Sequence, residues 1–319
     1  MRACVIGGGS WGTVFAALLA RRGHSVTLVC RDAAQAAAIA TTGHNPRYSS
    51  DVDLEGIATI GLTQGVPADT ELLVLAVPSR AFAQVARELP AGGSPALILT
   101  KGLDPGTGRR LSELVTGRPV AVLSGPNHAE EIGQGLPAAT VVASAELALA
   151  VGLQHELISS TFRVYASDDL VGVELSAAAK NVIALAAGGV DGLGLGDNAK
   201  AGLISRGLRE MARLGEAFGA RPETFSGLAG MGDLVVTCWS RHSRNRRAGE
   251  LLALGRTPEQ AAAEIGMVVE GLTTAPVLSA LAERAAIELP ITDAVHSVMR
   301  GVGPAELVSA LMEREPTIE

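Results

Sequence analysis

Aromatic residues are scarce in this chain, 3% of 319 residues, so its apolar content is carried mostly by Ala, Val and Leu. Small side chains of that kind let helices pack closely and leave surface for contact between subunits. Charge is thin as well: Asp, Glu, Lys and Arg make up 18%, with 33 acids against 26 bases, a formal net charge of −7. That balance argues against general binding to nucleic acid or to membrane surfaces. Cysteine is limited to Cys4, Cys30 and Cys238. No two of them have the spacing of a metal site or a redox pair, so no metal is expected and a reduced, cytoplasmic compartment fits best. The opening MRACVIGGGS has no long apolar region and no cleavage signature. No uncharged apolar run reaches the ~18 residues that span a bilayer. Neither a signal peptide nor membrane insertion is therefore expected, and no repeat of solenoid period appears.

What the chain does have is hydrophobic residues, 47%, over a length that is long for one core. Two domains are expected. Arg2 to Ile6 is a short apolar run. GGGSWG follows, with Gly7, Gly9 and Gly12 in G-x-G-x-x-G register. Thr13 to Arg22 reads as a helix stopped by Gly23, and Ser25 to Val29 as a second strand. Strand, glycine turn, helix and strand within about thirty residues is the dinucleotide-binding unit. Gly7 permits the tight turn, Gly9 lets the backbone approach a pyrophosphate, and Gly12 lets the helix pack on the strand. The amides and dipole at the helix start favour the phosphates. Cys30, Arg31 and Asp32 end the second strand. A binder of NAD usually places a carboxylate at the strand end, for the ribose 2′-hydroxyl. Here Arg31 comes next, and an arginine pairs with a 2′-phosphate. NADP, or use of both cofactors, is expected, unless Arg31 only lines the adenine or faces water.

The alternation continues. Glu71 to Val77 is a near-continuous apolar strand of the kind buried on both faces of a parallel sheet. Pro78 ends it, and Ser79 is placed to cap a helix through Glu88. Pro95 to Leu99 is a strand ending in Thr100-Lys101-Gly102. Val120 to Leu123 is another, ending in Ser124-Gly125-Pro126-Asn127-His128. Ligands of open α/β sheets bind beyond the carboxyl ends of strands. Lys101 suits a phosphate or a substrate oxygen, and Asn127 can orient a polar substrate, although either residue can equally serve an ordinary loop. Ala138 to Val142 and Phe162 to Val164 read as strands flanking a helix over Ala145 to Ser159.

After Asp168 the strand pattern fades and helices take over. The stretch from Asp169 begins as a helix that Asp168 or Asp169 can cap and that the glycines from Gly188 can end. In its apolar middle stands Lys180, followed by Asn181. Burial lowers the pKa of a lysine and makes it usable as a proton donor and acceptor near neutral pH. The alternative is a lysine that snorkels out of an interface. Asn198 to Phe218 reads as a long helix. Gly249 to Leu254, Pro258 to Ile265, Thr273 to Ala285 and Thr292 to Val298 read as shorter ones. Arg241 to Arg247, RHSRNRR, is a basic cluster. No aromatic platform accompanies it, so it reads as an anion site or a solvated turn rather than a nucleic-acid surface. Arg244 and Asn245 offer a guanidinium fork and an amide, a fitting pair for a phosphate monoester. Upstream, Asp233 follows a flexible Gly-Met-Gly and precedes an apolar run. Near Lys180 its carboxylate would hold the ammonium in place and oppose the burial shift. A parallel-sheet half followed by an all-helical half is a common dehydrogenase layout, with the active site expected between the halves.

GGGSWGT, TKGL, SGPNHAEE, ELSAAAKNVIALAAGGVDGLGLGDNAKAGLISRGLREMARLG, TFSGLAGMGDLVVTC, SRNRRAGE and VVEGLTTA occur in that order and spacing. On these segments the chain resembles the bacterial NAD(P)-dependent glycerol-3-phosphate dehydrogenases, from Arg2 to about Val308. The resemblance implies an α/β fold: a Rossmann-type parallel-sheet domain over 1–167, then an all-helical substrate-binding domain over 168–319. It implies that Lys180 is the catalytic acid/base and also touches the substrate. It puts Lys101, Gly125, Asn127, Asp233, Thr237, Ser243, Arg244 and Asn245 on the substrate. It puts Gly7, Gly9, Ser10, Trp11, Gly12, Arg31, Tyr48, Lys101, Ala129, Arg244, Val268 and Glu270 on the cofactor, NADP or NAD with NADPH favoured. It also implies a homodimer, with a role at the head of phospholipid synthesis. Two departures stand out. After Asn45-Pro46-Arg47-Tyr48 the family usually continues with a Leu-Pro-rich segment; here it reads SSDVDLEGI, on which the contact assigned to Tyr48 depends. Ser205 stands where threonine is usual.

The expected reaction is reversible hydride transfer between dihydroxyacetone phosphate and sn-glycerol 3-phosphate, with Lys180 as the proton donor and acceptor. Two rivals remain at this stage. One is another two-domain dehydrogenase acting on a 3-hydroxy acid or sugar acid. The other is a protein that senses NADPH without turnover.

Overall fold

A computed structural model describes residues 1–306 and 308. The chain folds into two compact units. One is Met1–Asp104 with Arg109–Glu174; the other is Pro105–Gly108 with the chain from Leu175 onward.

The first unit is built on one eight-stranded sheet. Its strands are β1 (Arg2–Ile6), β2 (Ser25–Cys30), β3 (Ala58–Gly61), β4 (Leu72–Leu75), β5 (Ala96–Ile98), β6 (Val120–Ser124), β7 (Ala138–Ala143) and β8 (Phe162–Ser167), in the order β3-β2-β1-β4-β5-β6-β7-β8. Neighbours pair in parallel throughout except β6 with β7, so the sheet is parallel-dominated rather than wholly parallel. Helices α1 (Ser10–Arg21), α2 (Ala33–Thr42), α3 (Ser79–Arg87), α4 (Ala129–Gly133) and α5 (Leu147–Leu157) accompany it. Successive strand residues point to opposite faces, and here both faces are buried. Ala3, Val5, Leu72 and Val74 join one core with Phe15 and Leu19 of α1 and Ile39 of α2. Cys4, Ile6, Leu73 and Leu75 join the other with Phe82 and Val85 of α3. Strand order reverses between β1 and β4, which puts the crevice for a ligand beyond the carboxyl ends of these two strands.

Several local expectations need correction. Ser79 does not cap α3. Pro78 holds the cap position, and Ser79 is already the first helical residue. The Ala-rich α2 and the short β3 lie in a stretch where no pattern was evident; α2 begins because Asp32 Oδ1 accepts the Ala34 amide at 2.9 Å.

In the second unit helix follows helix. α6 (Leu170–Gly192) belongs to it from Leu175 on. It is followed by α7 (Gly196–Ala217), α8 (Pro222–Ser226), a π-helical turn (Leu228–Gly232), α9 (Asp233–Trp239), α10 (Arg244–Ala253), α11 (Pro258–Ile265), α12 (Glu270–Arg284) and α13 (Pro290–Met299). Asp169 caps α6 as expected, accepting the Gly172 amide at 2.9 Å. By length and composition α6 could cross a membrane, but 83% of its most apolar stretch is buried inside the protein, where it serves as core. It ends later than its glycines suggest: α6 runs through Gly188 and Gly189 to Gly192. The reason is packing. A Cβ on Gly188 would stand 1.8 Å from the Arg246 carbonyl oxygen, and one on Gly249 would stand 1.9 Å from that of Leu185. These glycines let α6 and α10 touch backbone to backbone instead of ending a helix. Gly-Met-Gly is not a flexible hinge either. It closes the π-helical turn, and a Cβ on Gly230 would lie 2.2 Å from the Phe225 carbonyl oxygen. α11 matches its expected span because its ends are encoded locally: Thr257 and Gln260 form a capping box, and Gly266 takes the left-handed conformation at φ 67°.

Candidate active site

In the first unit the glycine turn follows β1. Gly7 sits at φ 121°, closed to other residues, and a Cβ there would meet the Ala76 carbonyl oxygen at 2.4 Å. A Cβ on Gly12 would stand 1.9 Å from the Gly7 oxygen. Gly9 precedes α1 with no side-chain cap, and a Cβ there would meet nothing within 4 Å. A tight turn, a helix start without a side-chain acceptor, and open space beside it suit a dinucleotide pyrophosphate. Ser10 and Trp11 form the first turn of α1. The Trp11 ring meets Phe15 edge-on at 5.5 Å, and its buried Nε1 has no hydrogen-bond partner among the described residues.

Arg31 is exposed immediately after β2, while the neighbouring Asp32 carboxylate is occupied as the α2 cap. Tyr48 is half-buried. Its amide donates to Asn45 Oδ1 at 3.2 Å, and the Arg47 guanidinium lies 5.4 Å from its ring centre. Ala129 is buried at the start of α4. Lys101 follows β5; Gly125 and Asn127 follow the adjacent β6. Lys101 Nζ donates to the Gly125 carbonyl at 3.1 Å and to Asn127 Oδ1 at 2.7 Å. That leaves Asn127 Nδ2 buried with no partner among the described residues. A buried amide donor without an acceptor is costly unless a ligand supplies one.

In the second unit Lys180 lies on α6 at 5% exposure. Its Nζ donates to Asp233 Oδ1 at 2.6 Å and to Thr237 Oγ1 at 2.7 Å. The Thr237 hydroxyl itself donates to the Asp233 carbonyl at 2.5 Å, one turn back on α9, so its lone pair is fixed toward the lysine. The sequence separates Lys180 from Asp233 by 53 positions, and the fold brings them into direct contact. An ammonium carries three N–H donors. Two are engaged here, and the third meets no acceptor among the described residues. Beside this group stands Cys238, whose thiol burial pushes up to about 12. Burial likewise raises Cys4 to about 12 and Cys30 to about 11, and all three are free.

The basic cluster spans the turn before α10 and the first turn of that helix, and the arginines of the helix divide. Ser243 caps the helix, accepting the Arg246 amide at 3.2 Å. Arg246 pairs with Asp191 and with Glu250, both at 2.6 Å. Arg247 pairs with Glu250 at 3.1 Å and with Glu264 at 3.2 Å. Arg244 is exposed and donates to the Val268 carbonyl at 3.0 Å, with no carboxylate partner among the described residues. Asn245 is held at both ends: Nδ2 donates to Asn181 Oδ1 at 2.9 Å, and Oδ1 accepts the Gly271 amide at 2.8 Å. Glu270 opens α12 and is half-buried like Val268. Asn181 was singled out only as a neighbour of Lys180. Its link to Asn245, like the Asn45 bonds, is not legible in sequence, because side-chain bonds between residues far apart along the chain leave no periodic trace.

Comparison with known proteins bears on both units. Residues 2–150 match the NAD-dependent glycerol-3-phosphate dehydrogenase N-terminus, and residues 169–309 match the C-terminus of the same family. Curated "Glycerol-3-phosphate dehydrogenase [NAD(P)+]" proteins are similar over nearly their whole length. The one from Moorella thermoacetica is 46% identical over 99% of this chain and 96% of its own. The one from Desulfitobacterium hafniense is 45% identical over 97% and 90%. A crystal structure of glycerol-3-phosphate dehydrogenase from Coxiella burnetii superposes with a TM-score of 0.93 at 39% identity, covering 98% of this chain and 99% of that one.

Proposed function

The chain belongs to the NAD-dependent glycerol-3-phosphate dehydrogenase family, and from that premise we propose that it interconverts dihydroxyacetone phosphate and sn-glycerol 3-phosphate with Lys180 as acid and base. It is an NAD(P)-dependent oxidoreductase. The observation that carries the assignment is the Lys180 ammonium, oriented by Asp233 and Thr237 with one N–H left over for a substrate oxygen.

When bound, the dinucleotide supplies a hydride to the substrate carbonyl carbon or takes one from it. The residues that would hold it are Gly7, Gly9, Gly12, Ser10, Trp11 and Arg31, with Tyr48, Lys101, Ala129, Arg244, Val268 and Glu270 as further contacts. The open, uncapped start of α1 and the unpartnered Trp11 Nε1 support that fit. As negative charge develops on the carbonyl oxygen, Lys180 Nζ gives it a proton, and it recovers that proton in the reverse direction. Asp233 offsets the buried positive charge and, with Thr237, fixes the direction of the remaining N–H. Lys101, Gly125 and Asn127 serve as further substrate contacts; the free Nδ2 of Asn127 supports this. Arg244 grips the phosphate, assisted by Asn245 and Ser243 at the start of α10, where the helix dipole favours an anion. Phosphate binding energy then positions the reacting carbon.

NADPH is the favoured cofactor, because Arg31 is free beside β2 while the nearest carboxylate is occupied as a helix cap. Residues 1–167 carry most of the dinucleotide contacts and 168–319 most of the substrate contacts, with Lys101, Gly125 and Asn127 crossing to the substrate and Arg244, Val268 and Glu270 to the dinucleotide. A homodimer working in the cytoplasm and feeding glycerophospholipid synthesis rests on the resemblance read from the sequence, and sedimentation tests the dimer.

The decisive assay mixes the protein, NADPH and dihydroxyacetone phosphate and follows the loss of NADPH absorbance. Turnover is expected. Turnover only with a 3-oxo acid would replace the substrate assignment, and tight NADPH binding without turnover on either would replace the enzyme assignment.

A further inference from the structure

Asn45 is fully buried between α2 and β3 and plays no part in the reaction described above. Its Nδ2 donates to the Gly8 carbonyl at 3.1 Å and to Thr13 Oγ1 at 2.8 Å. Its Oδ1 accepts from Gln35 Nε2 at 3.1 Å and from the amides of Arg47 and Tyr48 at 3.1 and 3.2 Å. Gln35 Nε2 also donates to the Gly8 carbonyl at 2.8 Å. A carboxamide has two N–H groups and one carbonyl oxygen, and every one of them is engaged. This one side chain therefore joins the glycine turn, α1, α2 and the segment bearing Arg47 and Tyr48. Volume alone does not require an amide here, since hydrogen bonds do little more than offset the cost of burying one.

What the amide adds is direction. The Gly8 carbonyl is held inward by two donors. In a planar trans peptide the N–H points opposite to the C=O, so the Gly9 N–H is turned the other way. Gly9 is the position whose surroundings are open. We propose that Asn45, seconded by Gln35, is a positioning residue for the dinucleotide: it sets the Gly8–Gly9 peptide so that the Gly9 N–H meets the pyrophosphate, and it ties the Tyr48 segment to the same turn. This rests on reading the glycine turn as the dinucleotide site.

The test uses the full chain and measures NADPH and NADH dissociation constants by calorimetry, kcat at saturating cofactor, and Tm without ligand. Asn45→Ala should raise both dissociation constants about tenfold while kcat stays within about twofold, the loss of hydrogen bonds that act on binding alone. Asn45→Asp keeps the acceptor for Arg47, Tyr48 and Gln35 but turns two donors into a carboxylate facing the Gly8 oxygen, so its loss should be at least as large. Gln35→Met removes the second donor and should cost about threefold. A lower Tm with unchanged dissociation constants reduces Asn45 to a structural residue and overturns the inference. If Asn45→Ala fails to fold, Gln35→Met decides by the same rule. Absence of dinucleotide binding by the wild-type chain would overturn the cofactor reading itself, a result distinct from failure of the variants.

Discussion

Lys180 and Lys200 are buried to the same degree, at 5% and 4% exposure, and each meets an aspartate. Their surroundings differ in what is left over. Lys200 donates to both oxygens of Asp191, at 3.0 and 2.7 Å, and lies 4.8 Å from the centre of the Trp239 ring. Asp191 in turn takes Arg246 at 2.6 Å, so the charges close on themselves between α6, α7 and α10. Lys180 has one carboxylate oxygen, one hydroxyl and one N–H direction without an acceptor. A buried lysine beside an aspartate is therefore no mark of catalysis. On the role proposed for Lys180, the unengaged donor is what separates a working ammonium from a structural one. The arginines of α10 divide the same way: Arg246 and Arg247 are neutralised by carboxylates, and Arg244 is not.

The largest expected effect breaks or upholds the lysine comparison directly. Lys180→Ala should keep the fold and the NADPH affinity and lose about 10²–10⁴ in turnover, the usual worth of one acid/base group. Lys200→Met should differ in turnover, although both variants remove one partner of a buried pair. Its kcat should stay within about threefold, while stability falls by at most the low end of the roughly 3–5 kcal/mol that breaking a buried pair costs, because Asp191 keeps Arg246. Equal kcat losses in steady-state kinetics would erase the distinction.

Arg244→Ala comes next. Loss of the phosphate grip should cost roughly 2–5 kcal/mol in kcat/KM for dihydroxyacetone phosphate, toward the low end because Arg244 is exposed. Unphosphorylated dihydroxyacetone should barely respond, and Arg247→Ala should leave the ratio of the two substrates alone. A ratio unchanged in Arg244→Ala at saturating NADPH would sink the phosphate assignment.

Arg31→Ala extends the contrast to the first unit, with a smaller effect. The NADPH dissociation constant should rise about tenfold and the NADH constant by less than about twofold, since only NADPH carries the 2′-phosphate. Equal losses in a binding titration would show that Arg31 does not read that position.

The smallest effect concerns a buried carboxylate that faces helix amides. Glu210 caps α13, accepting the amides of Ile291 at 2.5 Å and Thr292 at 3.2 Å, and burial raises its pKa from 4.5 to about 7. A raised pKa means that the folded state binds the proton more tightly than the unfolded chain. The stabilisation is complete below about pH 4.5 and is lost as pH rises through about 7. Glu210→Gln cannot titrate, so between pH 5 and 8 the Tm difference should move in favour of the variant by roughly 2–6 °C. A difference independent of pH would remove Glu210 from the pH response.

The first unit was legible because its code is local. β1 falls at Arg2–Ile6 as the apolar run indicates, and the G-x-G-x-x-G spacing has the steric consequences that spacing demands. Thr257, Gln260 and Gly266 fix α11 to the residue in the same manner. What stayed hidden depends on partners far along the chain. Gly188 looks like a helix stop until α10 lies against it, and Arg244, Arg246 and Arg247 look alike until Asp191, Glu250 and Glu264 choose two of them. Lys180 is suspicious in sequence for its apolar neighbours. That Asp233 and Thr237 aim it is decided by the tertiary fold, which brings side chains 53 and 57 positions away against it.

The glycine seam between α6 and α10 has a consequence for redesign. The helix bearing Lys180 and the helix bearing Arg244 and Asn245 meet backbone to backbone at Gly188 and Gly249, so no side-chain rotamer sets their spacing. On the proposed roles, the separation between Lys180 as proton donor and Arg244 as phosphate grip works as a fixed ruler. A methyl group on either glycine would force the helices apart, lengthening the ruler and blunting both ends at once. Longer or shorter substrates therefore have to be accommodated by trimming or extending the side chains at the ends, because the scale between them does not slide.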